Sequence, residues 1–434
     1  MKRINNFIAT LAALLFCLAL PPAQAEETFQ VDLETVLKLA GANNLTIEEY
    51  RLKYRQAMAE QIKTKEWWLP TLHTGVSTHY LTGAAMNADG QIFTGVDRNN
   101  VWAGIGINAQ LDFNQGVFGM LAARQRSEAA FHFSIAEKNQ VLLETVNTYF
   151  DLQTEQLKYT FLQALVDQSD TLARQLDLQT GAGLRYQSES LQAQSNTGHL
   201  KIALLQSRAD WRQKSALLAN LLNLDAGIRL VSADTSLVPL TLVVPETDSV
   251  GYANRPEFKG MNAELNALQT ARKTANEGLL LPTLTVGTRN GIFGAYDGPT
   301  RNTTDVNASL LWKIPLGRFT YQGDLKQWDS KISLQRNKLA QFKNRYRQEI
   351  DSTKARLAAA GEQLTVGKQA LQLSAEALNQ SLEREKMGTV KPFEVFQSQQ
   401  FYLQAQIDYL QAIAEFNKAQ FTLKVAQGET LVDD

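Results

Sequence analysis

Between Val101 and Phe113 the chain alternates with a period of two. Val101, Ala103, Ile105, Ile107, Ala109, Leu111 and Phe113 fall on one side, and Trp102, Gly104, Gly106, Asn108, Gln110 and Asp112 on the other. Successive side chains of a strand point to opposite faces, so this spacing predicts a strand with one apolar and one small or polar face. Val306, Ala308, Leu310, Trp312, Ile314 and Leu316 repeat the pattern opposite Asp305, Asn307, Ser309 and Lys313. Thr71–Leu81 and Thr283–Phe293 alternate less cleanly and are read as their partners. The expected strands are about 70–82 and 100–113, then about 283–296 and 304–316, with the polar links 82–100 and 296–304 as external loops. Strands of about ten residues or more suit a tilted bilayer crossing, with lipid on the apolar face and a polar lumen on the other.

Elsewhere the period changes. No proline and little glycine interrupts Phe118–Gln179 or Tyr321–Lys386, which predicts continuous helices over about 117–181 and 320–386. Each is on the order of 90 Å long at 1.5 Å per residue, too long for a compact globule. Return helices are expected over about 185–224 and 391–428. Leu364, Leu371, Ala375, Leu378 and Leu382 keep a heptad-like spacing, answered by Phe396, Leu403, Ile407, Leu410, Ala414, Phe421 and Val425. Leu191, Ile202, Leu205 and Ala209 give the corresponding stripe in the first pair. These stripes read as the seams of antiparallel coiled coils.

The strands and helices recur in one order. Leu69-Pro70-Thr71-Leu72 returns as Leu281-Pro282-Thr283-Leu284, with Gly75 falling on Gly287. Gly183–Gln194 aligns with Gly388–Gln399, matching the glycine, the Glu six positions on and two Gln. Two structural repeats are therefore expected, 26–248 and 249–434. The first 25 residues read as a signal peptide: Lys2 and Arg3, an apolar run from Phe7 to Leu20, and the small-x-small site Ala23-Gln24-Ala25. Cys17, the one cysteine, lies in that segment, and the bulky Leu15-Phe16 before it argues against lipid attachment there. No later run approaches the roughly 20 apolar residues of a membrane-spanning helix, so any bilayer contact must use strands. Four strands cannot close a barrel, which takes about eight even when side chains fill it. An open strand edge is not tolerated in lipid, so membrane insertion requires several copies.

Charge and chemistry narrow the function further. With 43 basic and 44 acidic residues the formal net charge is -1, which gives no electrostatic case for nucleic acid. His73 and His79 share a strand face but lie roughly 20 Å apart, too far to share a metal. His132 and His199 have no second ligand at metal spacing, and the six methionines are scattered. Gly104-Ile105-Gly106 lacks the third glycine and following helix of a dinucleotide site. Acidic pairs such as Glu383 and Glu385 read as solvated helix faces. No catalytic constellation, cofactor site or metal site emerges, and the chain is not read as an enzyme.

In its order of elements, its Leu-Pro-Thr-Leu segments leading into strands, the Trp312-Lys313-Ile314-Pro315-Leu316 strand exit and its glycine turns between long helices, the chain resembles the TolC-like outer membrane efflux protein family. The resemblance covers nearly all of the mature sequence. It implies a mixed, mainly α fold: a duplicated unit of two strands plus long coiled-coil helices. Three copies would form a twelve-stranded transmembrane β-barrel continuing into a periplasmic α-helical barrel. It also implies an outer membrane exit duct working with a periplasmic adaptor protein and an inner-membrane transporter, in drug or metal efflux or in type I protein secretion. By the same resemblance, Ala182, Gly183 and Leu184 at one turn, and Met387, Gly388 and Thr389 at the other, would contact the adaptor. Glu394 would line the pore entrance, with Glu189 in the equivalent place and Gln397 where a second acid can occur. The competing expectation is a periplasmic coiled-coil scaffold or adaptor that never enters the membrane.

Overall fold

The computed structural model describes residues 28–87, 89–225, 227–242 and 251–432. The expected signal peptide, Cys17 and the expected junction at 248/249 lie outside the described residues. The protein is mainly helical, and it divides into two compact units.

One unit comprises Glu49–Ala136 and Tyr252–Arg345. It is built on a four-stranded sheet of β2 (Thr71–Met86), β3 (Ile92–Asp112), β5 (Thr283–Ala295) and β6 (Thr300–Leu311); the short β1 (Thr28–Val31) and β4 (Arg229–Ser232) belong to the other unit. The order is β2-β3-β5-β6 and every pairing is antiparallel. Register carries the alternation across the sheet, although Asn290, Asn302 and Thr304 interrupt the apolar face on β5 and β6. Leu72, Ile107, Thr288 and Val306 form one cross-strand row, and Val76, Ala103, Ile292 and Asn302 another on the same face. The opposite face holds rows such as His73, Gly106, Arg289 and Asp305, or Thr71, Asn108, Gly287 and Asn307. At the Gly104–Gly291 pair there is no room for a side chain: a Cβ on Gly104 would lie 2.2 Å from the Asn290 carbonyl oxygen and 2.6 Å from Gly291 Cα. The two backbones therefore close on each other on the polar face.

Several strand limits differ from expectation, and β6 already begins at Thr300, inside the expected loop 296–304. β2 and β3 extend through most of 82–100, leaving a turn at Asn87–Gln91 tied by the Asn87 carboxamide oxygen, which accepts from the Gln91 N–H at 2.8 Å. The residues Asp97, Arg98 and Asn99 hid this extension, because they break the apolar alternation by which a strand is recognised. At the other end, β6 stops at Leu311 rather than 316. Pro315 has no N–H for a ladder, and the Trp312 indole turns to the Leu280 carbonyl at 3.2 Å.

The other unit holds residues through Glu48, Glu137–Gly251 and Tyr346 onward. Along the chain, helices α1 (Leu33–Asn43) and α2 (Leu45–Lys65) precede α3 (Met120–Gly181), which follows a π-turn at Gln115–Gly119. After α3 come α4 (Gln187–Leu221), α5 (Pro256–Thr274) and the short α6 (Gly317–Thr320), both of the sheet-bearing unit, then α7 (Gly323–Lys386) and α8 (Pro392–Ala426). With 62 and 64 residues, α3 and α7 are uninterrupted, as the absence of proline permits. Asp32 caps α1, accepting from the Thr35 N–H at 2.8 Å, and hydrogen bonding with the Thr35 side chain and then with this N–H holds its carboxyl below the ordinary value.

The core of this unit joins Val36, Leu142, Val146, Tyr149, Leu218, Leu230, Ile413 and Phe421. Burying each of the larger side chains stabilises by about 2–3 kcal/mol. Tyr149 donates to Asp234 Oδ2 at 2.8 Å beside the parallel β1–β4 pair, and burial pushes its phenol well above the ordinary range. In the second helical pair the expected seam is buried or half-buried from Leu364 to Val425. In the first it is not: Leu191, Ile202 and Leu205 are 57–64% exposed, and Ala209 is exposed too. The buried stripe of α4 is instead Ser190, Ala193, Asn196, Thr197, Leu200, Ser207, Trp211, Ser215 and Leu218. Several of these polar side chains find partners, such as Ser169 with Thr197 at 2.9 Å and Asn196 donating to Gln399 at 3.0 Å, whereas the buried Ser207 hydroxyl has none among the described residues.

Asp151 on α3 accepts from Lys214 of α4 at 2.6 Å and from Lys418 of α8. Burial opposes ionisation of Asp151, but the two ammonium donors outweigh it and hold the carboxyl below its ordinary range. Burial likewise lowers Lys418, and the bond to Asp151 more than reverses this, so its ammonium titrates above the ordinary value. The stability from Asp151 is complete above the ordinary carboxylate range and is lost as pH falls through its depressed folded value. That from Lys418 is complete below the ordinary lysine value and is lost as pH rises through its raised one. Asp151→Asn is expected to flatten the acid limb of a plot of denaturation midpoint against pH. An unchanged acid limb would assign that limb to other carboxylates.

Candidate functional site

Two turns connect the long helices, and they have one geometry. α3 ends with Gly183 at φ 74°, and α7 with Gly388 at φ 73°. At the first, the N–H of Gly183 bonds the Thr180 carbonyl and that of Leu184 the Gln179 carbonyl, both at 2.9 Å. At the second, Gly388 bonds Glu385 at 2.8 Å and Thr389 bonds Arg384 at 2.9 Å. This is the paired closure of a helix C-terminus by a left-handed residue, which glycine adopts at no steric cost. The next helices also start alike: Tyr186 (φ -80°, ψ 143°) precedes α4 and Lys391 (φ -80°, ψ 149°) precedes α8. Glu189 and Glu394 then occupy the same third helical position, where a carboxylate is favoured by the unpaired N–H groups of the helix start.

The side chains differ. Ala182, Gly183, Leu184, Met387, Gly388 and Thr389 are all exposed, so both turns present a free surface in the chain. Glu394 and Gln397 are exposed as well, one helical turn apart. Glu189 is not: it lies 3.5 Å from Arg185, whose other nitrogen reaches Glu385 at 3.0 Å. Glu385 is buried, at 6% exposure, which corrects its reading as part of a solvated face. Arg185 thus joins the first turn to the end of α7, across 200 residues of sequence. Gln194 and Gln399 match in sequence position yet diverge too, Gln194 being exposed and bonded to Asp177 while Gln399 is fully buried.

No protein-family model matches the chain, and no curated protein matches it in sequence. Solved structures do match in fold. The CmeC outer membrane channel of Campylobacter jejuni superposes with a TM-score of 0.77 at 15% identity, covering 96% of this chain and 92% of that one. The outer membrane protein VceC of Vibrio cholerae gives 0.75 at 14% identity, covering 92% and 97%. The MtrE outer membrane channel of Neisseria gonorrhoeae, in its open state, gives 0.74 at 14% identity, covering 92% and 89%. The chain has the TolC-like fold that these channels share.

Proposed function

We propose that this chain, with its TolC-like fold, is the outer membrane exit duct of a tripartite efflux or secretion system. The observation that carries the reading is the sheet of the first unit. It has an apolar face and a polar face held in register over four strands, and it ends in two unpaired edges, β2 and β6. Such edges cannot stay open in lipid, so neighbouring copies must supply the partners. Three copies give a twelve-stranded barrel with lipid outside and a polar lumen inside. The pinched Gly104–Gly291 pair supports this, since neighbouring strands crowd on the inner side of a curved sheet.

The helices then form the periplasmic α-barrel. The exposed stripe Leu191, Ile202 and Leu205, together with Val366, Leu373 and Phe401, gives apolar surface for neighbouring copies to cover. The matched turns support a duplicated unit, 26–248 and 249–434. Ala182–Leu184 and Met387–Thr389 would receive a periplasmic adaptor, which in turn connects to an inner-membrane transporter. Transport through such a duct is passive, and the reading gives the chain no chemistry of its own.

Sizing of the detergent-solubilised protein is expected to give three chains per particle, and a monomer would sink the reading. At the tips, three exposed Glu394 side chains line the entrance and favour cations, whereas Glu189 is occupied by Arg185. Glu394→Gln is expected to lower cation preference in planar bilayers. Glu189→Gln should leave it near wild type. Equal selectivity in all three proteins would remove Glu394 from the entrance.

A further inference from the structure

Beyond the end of β6 the chain does not simply leave the sheet. A cavity of about 250 Å³ opens there, lined among others by Leu279, Pro315, Arg318, Tyr321, Gln322 and Leu325. Its wall includes one of the two non-glycine residues at positive φ among those described, Gln322 at 51°. Such a conformation is uncommon outside glycine, asparagine and aspartate, and it persists only where the surroundings enforce it. Arg318 is held toward the wall by Asn276 Oδ1 at 2.5 Å and has no carboxylate partner among the described residues. Near the lining residues in sequence, Leu280, Trp312, Leu316 and Phe319, together with the lining Tyr321, are 55–80% exposed. An apolar patch of this kind, beside a cavity lined by both Arg318 and Asp324, marks a surface that something covers.

The strand directions identify what covers it. β2 and β6 are the two edges of the sheet and run in opposite senses. When β6 of one copy pairs with β2 of the next, residues just before β2 come beside residues just after β6. Those residues are Trp68 and Leu69, 56% and 49% exposed. The adjacent Trp67 is used inside its own chain, edge-on to Phe113 with ring centroids 5.5 Å apart. Trp68 is left outside it.

We propose that this cavity is a socket for Trp68 of a second copy of the chain. The indole supplies the apolar body that the cavity lacks, and its ring face offers Arg318 a cation–π partner. The inference rests on the edge-to-edge assembly proposed above and adds to it a specific contact at the periplasmic end of the barrel.

The test uses the full-length protein carrying Trp68→Cys and Tyr321→Cys. Cys17 lies in the segment expected to be removed, so the mature protein holds no other thiol. A short bis-maleimide is expected to give covalent two-chain and three-chain species from the double variant and none from either single variant. A particle of three chains without such cross-links would overturn the socket and leave the duct standing. A particle of one chain would overturn both. Ready labelling of the assembled Tyr321→Cys single variant by a membrane-soluble maleimide would show that lipid covers the cavity instead, and would equally overturn the socket. A second variant, Leu279→Trp, fills the cavity from within. It is expected to lower the melting temperature of the assembled particle by several degrees, and an unchanged value would count against an occupied socket.

Discussion

Replacing Gly104 with valine is expected to abolish assembled protein in the outer membrane, whereas Gly75→Val leaves it near wild type. The two glycines face each other across β2 and β3, so they share a sheet, a row and a face. What differs is the space around them. A Cβ at Gly75 meets nothing within 4 Å, but one at Gly104 lands 2.2 Å from the Asn290 carbonyl oxygen and 2.6 Å from Gly291 Cα. Both obstacles are backbone, so no side chain can swing away. The clash is reciprocal: a Cβ at Gly291 falls 2.3 Å from the Ala103 carbonyl oxygen, and Gly291→Val should therefore fail in the same way.

The position within the fold magnifies the effect. β2 with β3, and β5 with β6, are hairpins whose own turns fix their register. The β3–β5 pair is joined by no turn, only by the 170 residues between Asp112 and Thr283, so its register depends on the contact itself. Without that pair, each hairpin carries an unpaired edge into lipid, where every unsatisfied N–H or C=O costs several kcal/mol. The outcome is all or none rather than graded. It is read as the amount of oligomer resistant to unheated detergent in an outer membrane fraction. Wild-type amounts of Gly104→Val oligomer would mean that the two strands do not close together there.

How much of this was legible in the chain depends on the range of the interaction concerned. Period-two alternation placed Val101–Leu111 and Val306–Leu310 on one face because the rule is local to each strand. The two turns were equally legible, since Gly183 and Gly388 satisfy a need for positive φ that few other residues meet. The stripe on α4 was misplaced for a physical reason. Ser190, Asn196, Thr197, Ser207 and Ser215 face the core there, while Leu191, Ile202 and Leu205 face outward, so hydrophobicity along one chain points away from that chain's own core. On the proposed assembly the exposed stripe is a second apolar face covered by a neighbouring copy, and sequence periodicity does not say which face is internal. Least legible was Glu385. Its burial is set by Arg185, 200 residues away, and nothing local to Glu383-Arg384-Glu385 signals it.

Arg185→Ala is accordingly expected to loosen the tips and raise single-channel conductance several-fold. Arg185 is 19% exposed and lies between two carboxylates, Glu189 at 16% and Glu385 at 6%. Removing one partner from a buried ion pair costs about 3–5 kcal/mol, because the remaining charge is left desolvated. Taking the lower figure, the balance between joined and separated hairpins shifts on the order of a hundredfold, since about 1.4 kcal/mol is a factor of ten. The separated state lets Glu385 reach water, which relieves the penalty only if the end of α7 moves away from the first turn. Arg185→Lys keeps the charge but loses the planar fork that serves both carboxylates, so an intermediate conductance is expected. Glu385→Gln should be milder than Arg185→Ala, because a neutral amide tolerates burial better than an unpaired carboxylate. Planar-bilayer recordings give the conductance, and limited proteolysis at Arg384 and Lys386 reports independently on the loosened end of α7. Wild-type conductance and wild-type protection in Arg185→Ala would show that the hairpins are joined by the apolar cluster of Leu176, Leu378, Val395 and Phe396 alone.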